Sequence, residues 1–520
     1  MLKIKINDSN YTNWSIINQD NLPIDINPIE SKLFDEDIFS ISNNKLIIEK
    51  SNVRSNNLLG VIILDSFQTY GKINNRLLYK VKPRNQNLPD FLVPYDIKKS
   101  DMGFSKNILN KYILFKFINW DNKHPIGQII ETIGPINDLN SFYRYELIHY
   151  DLNIPINKEL NKIKSIDFND IQIKYNIESR ETFKVFSIDP SDCTDFDDAF
   201  SIQIIDSNYL ISIYISNVPI LLDYLNLWYN LSDRISTIYL PNGKIPMLPS
   251  VLSDNYCSLK KDEPRIALCL DILVNESGTI INTSLQNVLI KVKYNFVYDT
   301  NELLSYCNYQ KLFNISKQIF PSISDSHELV EKLMVFMNNH CGQLLLNKNK
   351  GIFRSTIPLE NNLPEKVKNE LLLSNFAGIY TTDYNKTSHE GLQSNSYVHI
   401  TSPIRRIVDV LNMLLILDMQ NDFYNKWINK IEFINEKTKK IKKIQTQSYL
   451  LNLLSNNKND IYDGYPIEIV NSSFNIYIPE LKLYIKIKNK DLILFEKYTF
   501  KFYIFESQDK FNKKVKIDLF

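Results

Sequence analysis

The sequence predicts an α+β chain of several domains, with small strand-rich barrels on both sides of a central domain of mixed sheet and helices. Three observations predict it. The length of 520 residues exceeds what one hydrophobic core usually fills. Short β-branched and aromatic runs, punctuated by Gly, Asn, Pro and Asp, occupy both ends of the chain. Between about residues 300 and 450 the apolar period lengthens to three- and four-residue steps.

Taken in order, residues 1 to about 150 read as strands: LLGVIILDSF, RLLYKVKP, DFLVPYDI, KYILFKFINW and IGQIIETIG. Strands at such regular spacing suggest small barrels, one over 1–52 and a second over 53–150. A polar stretch at about 151–180 leads into FKVFSIDPSDCTDFDDAFSIQII, the start of a central domain over 151–450. Strand signals continue to about 295, and ELVEKLMVFMNNHCGQLLLN and PIRRIVDVLNMLLILDMQ then carry helical periodicity. Strands return in YPIEIVN, FNIYIPE, LYIKIKN, YTFKFYIF and KVKIDLF, so 456–520 reads as one more small barrel.

Composition narrows the class. Hydrophobic residues at 44% supply large cores, and 12 glycines with 20 prolines leave little for low-complexity linkers. Sixty basic against 59 acidic side chains give a net charge of +1, so any basic surface is local. The cysteines Cys193, Cys257, Cys269, Cys307 and Cys341 form no Cys-x-x-Cys pair, which argues against a zinc site or a disulfide partner. Reduced thiols, a polar start without a secretion signal, and the lack of a membrane-spanning apolar run predict a soluble intracellular protein. Cytoplasm, nucleus and a viral source are all compatible with this.

The most informative stretch runs from Ser187 to Ala199. An apolar strand reaches Asp189, turns at Pro190-Ser191, and delivers Asp195, Asp197 and Asp198 within four positions. So many like charges repel unless something positive sits among them. Hard carboxylate oxygens without nearby sulfur or imidazole favour Mg²⁺, with Mn²⁺ as the alternative. Such ions bind phosphate, activate water and stabilise a leaving oxygen. The plainer readings are a solvated acidic turn or a calcium loop, and the latter lacks the glycine of its sharp turn.

A second segment, Tyr397-Val398-His399-Ile400-Thr401-Ser402-Pro403-Ile404-Arg405-Arg406, sets hydroxyls and a proline before a helix start and two arginines in its first turns. Arginine there is misplaced for the helix dipole, so gripping phosphate is a plausible task. An ordinary ion pair with Asp409 is the plainer account, and it suits Arg406 better than Arg405.

Together these segments resemble the RNB family of processive 3′→5′ exoribonucleases, which includes bacterial RNase II, RNase R and the eukaryotic exosome nuclease. The signature is Ile188-Asp189-Pro190 followed by Asp195-Phe196-Asp197-Asp198-Ala199. Further matches are Arg234 to Pro241, Ile245 to Pro249, Cys257-Ser258-Leu259, Val297-Tyr298-Asp299, Leu329-Val330-Glu331, and Tyr397 with Thr401 to Arg406, in the family's order. The resemblance implies an RNB catalytic domain flanked by OB-fold barrels. It also implies hydrolysis of single-stranded RNA to 5′-nucleoside monophosphates, with Mg²⁺ or Mn²⁺ as cofactor. Asp189, Asp195, Asp197 and Asp198 would be metal ligands, with Asp195, Asp197 and Arg405 catalytic. Hydrolysis would depend most on Asp197, and Arg405 would hold the scissile phosphate. Tyr239, Tyr298, Glu331, Tyr397, Ser402 and Arg405 would contact RNA, the tyrosines by sequence-tolerant stacking. Partners would be single-stranded RNA and an RNA-processing complex. The barrel over 53–150 looks closer to the exosome type, although the chain has no room for that enzyme's N-terminal endonuclease domain.

Several positions depart from the family. Asn217 stands where a carboxylate near the site is usual, Lys332 replaces the second glutamate of a pair, and Ile407 and Asn412 replace a Tyr and a His. The segment between Tyr298 and Glu331 is short and leaves no nameable second aromatic clamp. A basic helix face from Glu436 to Lys443 would compensate for reduced RNA-binding surface, or is simply solvated. The alternative is a catalytically weak RNB-fold protein that binds RNA.

Overall fold

In the first strand, Leu2–Ile6, Ile4 and Ile6 are buried while Lys5 is exposed, the two-residue alternation of a sheet with one wet face. The computed structural model describes residues 1–17, 26–43, 45–97, 108–157, 163, 166–356, 378–389, 392, 394–456, 460–470, 473–481, 483–488, 491–506, 511 and 513–520. They form two units: Met1–Asn153 with Thr446–Ile461 and Phe500–Phe520, and Ile154–Gln445 with Tyr462–Thr499. The chain is α+β, as expected.

In the first unit a four-stranded sheet orders Trp14–Ile17, Leu2–Ile6, Ile38–Ser42 and Lys45–Lys50. A second sheet runs Asn57–Ile62, Lys111–Asn119, Ile126–Pro135, Phe91–Pro94, Arg76–Pro83. Asn57–Ile62 also pairs with Arg76–Pro83, which closes these five strands into a barrel, with the short strand Lys72–Ile73 paired to Arg76–Pro83 as the sheet's sixth. The two sheets share one core. Phe34 stacks on Phe91 at 5.8 Å and on Trp120 at 4.8 Å, with the Arg54 guanidinium 4.7 Å from its ring. The helix Leu139–His149 was not legible as such, because LNSFYRYELIH is aromatic and polar without a clear stripe. Its start is set by Asp138, whose carboxylate accepts from the Asn140 and Ser141 N–H groups.

The second unit is built on a mixed sheet ordered Glu178–Ser179, Ile280–Val297, Val185–Asp189, Asp198–Ile205, Asn208–Ser216, Pro264–Val274. Val185–Asp189 runs parallel to Ile280–Val297 and antiparallel to Asp198–Ile205. Phe186, Phe200, Ile213 and Leu270 bury one face against Leu329, Leu333 and Met337 of the helix Ser326–Asn347. Asp325 caps that helix through the Glu328 N–H at 2.8 Å, and Glu328 answers by accepting from Ser324. At Gly342 the helix meets another segment so closely that a Cβ would overlap the Ser396 carbonyl. The other face carries a buried bidentate pair, Arg180 to Asp271 at 2.9 and 2.7 Å, completed by Ser212 and Gln286.

The strands of the chain's last part are antiparallel. Ile461–Val470 pairs with Ser473–Ile478, which pairs with Leu483–Ile487, and Tyr498–Glu506 pairs with Lys513–Leu519. The ends of the expected strands at Asn471 and Asn489 lie outside the described residues. Among the described residues no helix is long and apolar enough to cross a membrane.

Burial alone would raise the Asp271 carboxyl, but the hydrogen bonds from Arg180 and Ser212 and the guanidinium charge hold it below its usual range. The pair's stabilisation is therefore full at neutral pH and fades as acid protonates Asp271. Arg180→Ala strands a buried carboxylate and is expected to cost about 3–5 kcal/mol at neutral pH, less in acid. Thermal melts of both proteins across that pH span check it; an equal loss at every pH would contradict the assignment.

Candidate active site

The acidic residues gather where two neighbouring strands of the mixed sheet meet end to end. Asp189 is the last residue of its strand, paired with Val297, and its carbonyl accepts the Tyr298 N–H at 3.2 Å. After the Pro190 turn, the Ser258 hydroxyl receives the Phe196 N–H at 3.0 Å and donates to the Thr194 carbonyl at 2.9 Å, fixing the loop. Asp198 then opens the next strand. The second segment arrives from far along the chain. Asp197 accepts the Ile404 N–H and the Arg405 Nε–H, both at 3.0 Å. The helix begins only at Ile407, so both arginines precede it rather than lie in its first turns. Arg406 pairs with the fully buried Asp409 at 2.9 Å.

All ten expected site residues line one cleft of about 930 Å³: Asp189, Asp195, Asp197, Asp198, Tyr239, Tyr298, Glu331, Tyr397, Ser402 and Arg405. They differ in how freely they face it. Tyr239 is exposed, on a hairpin of Ile238–Leu240 with Gly243–Ile245, and Glu331 is exposed on its helix. Tyr298 is half-buried and its ring lies parallel to that of His327, 3.8 Å away. Tyr397 and Ser402 are buried and work inside the wall. The Asn338 amide donates to the Tyr397 hydroxyl at 3.0 Å, and the Ser402 hydroxyl accepts from Arg405 Nη2 at 2.8 Å.

The carboxylates do not share one environment. Asp195 is paired with Lys244 at 2.7 Å and Asp197 with Arg405 at 3.0 Å. Asp189 and Asp198 each keep a buried Oδ2 with no hydrogen-bond partner. Burial pushes the Asp189 carboxyl up to about 6, and the Asp197 carboxyl up to about 7 against the pull of Arg405. Asp198 is driven well above the carboxylate range, by burial first and then by the charges of Asp189 and Asp197.

The four aspartates expected as metal ligands differ in what each leaves free for an ion. Among the described residues no three His, Cys, Asp or Glu side chains form a ready ligand set. Two of the four have taken fixed protein cations. The two orphaned oxygens do fit Mg²⁺ or Mn²⁺, which is commonly held by one or two carboxylates with water and phosphate completing the shell. Asp189 and Asp198 are the residues that would hold it.

Lys244, His327 and Cys193, whose thiol approaches Asp189 Oδ1 at 3.9 Å, escaped the sequence reading. For Lys244 a signal existed: the Pro241-Asn242-Gly243 turn sets it opposite Tyr239. Among the departures, Asn217 is absent from the cleft lining and instead caps the helix Val218–Tyr224 through the Ile220 N–H. Its neutral amide thus serves packing, not the site. Asn412 likewise bonds the Ile352 backbone and the His399 carbonyl.

The chain matches the family model of the RNB domain over residues 178–310. Its fold is that of an RNB domain with OB-type barrels. It is 25% identical over 372 residues to Ribonuclease R of Chlamydia pneumoniae, covering 55% of this chain and 54% of that protein. The chain thus spans about half the length of the curated relatives it matches. Mycoplasma genitalium RNase R in complex with ribose-methylated single-stranded RNA superposes with a TM-score of 0.65 at 16% identity, covering 100% of both chains. Yeast Ssd1, described as a pseudonuclease, superposes with a TM-score of 0.58 at 14% identity over 85% of this chain and 66% of that one. At these identities the two structures establish the fold alone.

An acid whose native proton affinity is raised destabilises the fold as pH climbs past its ordinary range. Asp198→Asn is therefore expected to stabilise the chelator-treated protein by about 1–3 kcal/mol near pH 8, and to abolish stabilisation by added Mg²⁺. Melting curves with chelator and with Mg²⁺ test both; an unchanged or lower Tm in chelator would refute the account.

Proposed function

We propose that the chain is a processive 3′→5′ exoribonuclease that hydrolyses single-stranded RNA to 5′-nucleoside monophosphates with Mg²⁺ or Mn²⁺. One observation carries the reading: four aspartates and Arg405, from segments some 200 residues apart, converge in one cleft with the exposed ring of Tyr239 and the half-buried ring of Tyr298 at its wall. The similarity to proteins named Ribonuclease R supports RNA as the substrate class.

Each residue's part follows from its surroundings. Arg405 spends two of its five N–H donors on Asp197 and Ser402, and the rest suit a phosphate oxygen. Ser402 acts through Arg405, fixing the fork. Asp197 keeps a lone pair on each oxygen beyond the two bonds it accepts, enough to orient a water in line with the phosphorus. A divalent ion held by Asp189 and Asp198 would neutralise charge on the phosphate and the departing 3′-oxygen. Tyr239 and Tyr298 would flank the terminal bases, with His327 backing Tyr298, and exposed Glu331 would accept from terminal ribose hydroxyls. Water adds to phosphorus, the bond to the upstream 3′-oxygen breaks, and that oxygen takes a proton. The reading assigns 1–52 and 53–150 to N-terminal barrels, 151–450 to the catalytic domain and 456–520 to a C-terminal barrel, with RNA and an RNA-processing complex as partners.

A catalytically weak RNA-binding protein is the second reading. It is favoured by the ion pair that ties Asp197 to Arg405 and by the likeness to a pseudonuclease. Labelled single-stranded RNA separates the two: a ladder ending in mononucleotides supports the enzyme, and binding without turnover supports the alternative. Asp197→Asn is expected to lower the rate by about 10³-fold or more while RNA affinity stays within about threefold. Degradation at the native rate would make the site assignment wrong.

A further inference from the structure

The Lys244 ammonium has three N–H donors and all three are used at the cleft's rim: Asp195 Oδ1 at 2.7 Å and Thr194 Oγ1 at 2.6 Å, which line the cleft, and Asp254 Oδ1 at 2.8 Å beside it. Its side chain is only 23% exposed. Two carboxylates and a hydroxyl around one positive centre are the oxygen set that a hard cation would otherwise gather. Lys244 also sits directly across the hairpin from Tyr239, so the strand pair carrying the aromatic wall is pinned to the acidic loop through this one ammonium. Asp189 and Asp198 are left as the carboxylates with orphaned buried oxygens.

We infer that Lys244 is a positioning residue acting as a built-in cation. It occupies the place of a second divalent ion, withholds Asp195 from the metal seat, and limits that seat to a single ion between Asp189 and Asp198. This rests on reading the cleft as a divalent-metal phosphodiesterase site. Losing the ammonium while keeping Asp195, Asp254 and Thr194 leaves two facing carboxylates without a counter-charge, which a second divalent ion then fills. Arginine keeps the charge and keeps the seat closed.

The test counts ions on the full chain without RNA. Mn²⁺ titrations are followed by electron paramagnetic resonance of the free ion for the native protein and for Lys244→Met, Lys244→Gln and Lys244→Arg, with circular dichroism to confirm folding. The native protein and Lys244→Arg are expected to bind about one Mn²⁺ per chain, and Lys244→Met and Lys244→Gln about two. Two ions on the native chain, or one ion at unchanged affinity on every folded variant, overturns the inference. The two claims fail separately. A native protein that degrades RNA while the variants keep one ion removes the inference and leaves the exoribonuclease. A native protein that degrades no RNA while Lys244→Met and Lys244→Gln gain an ion removes the exoribonuclease and leaves the inference.

Discussion

The buried junction between Asp197 and the Ile404-Arg405 segment is the constraint on which the second unit depends. A carboxylate with 3% exposure tolerates its charge only with close partners, and it finds a guanidinium and a backbone N–H about 200 residues downstream. That contact fixes the sheet edge against the segment preceding the helix Ile407–Ile416. The segment is fixed from its other side too, because the Arg405 carbonyl accepts from Thr237 N–H and Ser236 hydroxyl just before the Tyr239 hairpin. Three parts of the chain thus register on one residue pair, and the cleft is the space left between them.

Electrostatic tension is unevenly shared around this junction. Asp195 and Asp197 each hold a fixed cation, although burial still keeps the Asp197 carboxyl raised, whereas Asp189 and Asp198 feel each other's charge with an oxygen left unpartnered on each. A fold that leaves two carboxyls in that state gains nothing in stability from them, which marks the pair as candidates for a functional site. The contrast with Asp271 is direct. It is comparably buried yet fully satisfied by Arg180, Ser212 and Gln286, and belongs to the architecture.

Much of this was legible in the sequence because it lies in short patterns. The strand ending at Asp189, the aspartate run, the helical periods and the distant Tyr397–Arg406 segment each announce themselves locally, and the structure brings them to one cleft. What escaped depends on contacts made at long range or by ordinary residues. Asn217 read as a lost acid near the site, whereas its side chain serves as a helix cap. Lys244 went unnoticed because its turn fixes the pairing with Tyr239, while the carboxylates it reaches come from elsewhere in the chain. The helix Leu139–His149 was hidden by aromatic residues that favour strands in isolation and is held by tertiary contacts such as Tyr145 on Tyr112 at 4.4 Å.

The stacking of Phe34 on Phe91 and Trp120 makes the opening segment inseparable from the barrel it precedes. Phe34 is a plug, and the barrel's aromatic end is its socket. Erosion of the first fifty residues would therefore not simply subtract an accessory sheet. It would uncork a greasy hole in the barrel, so any descendant that dispensed with the segment would have to grow a new stopper.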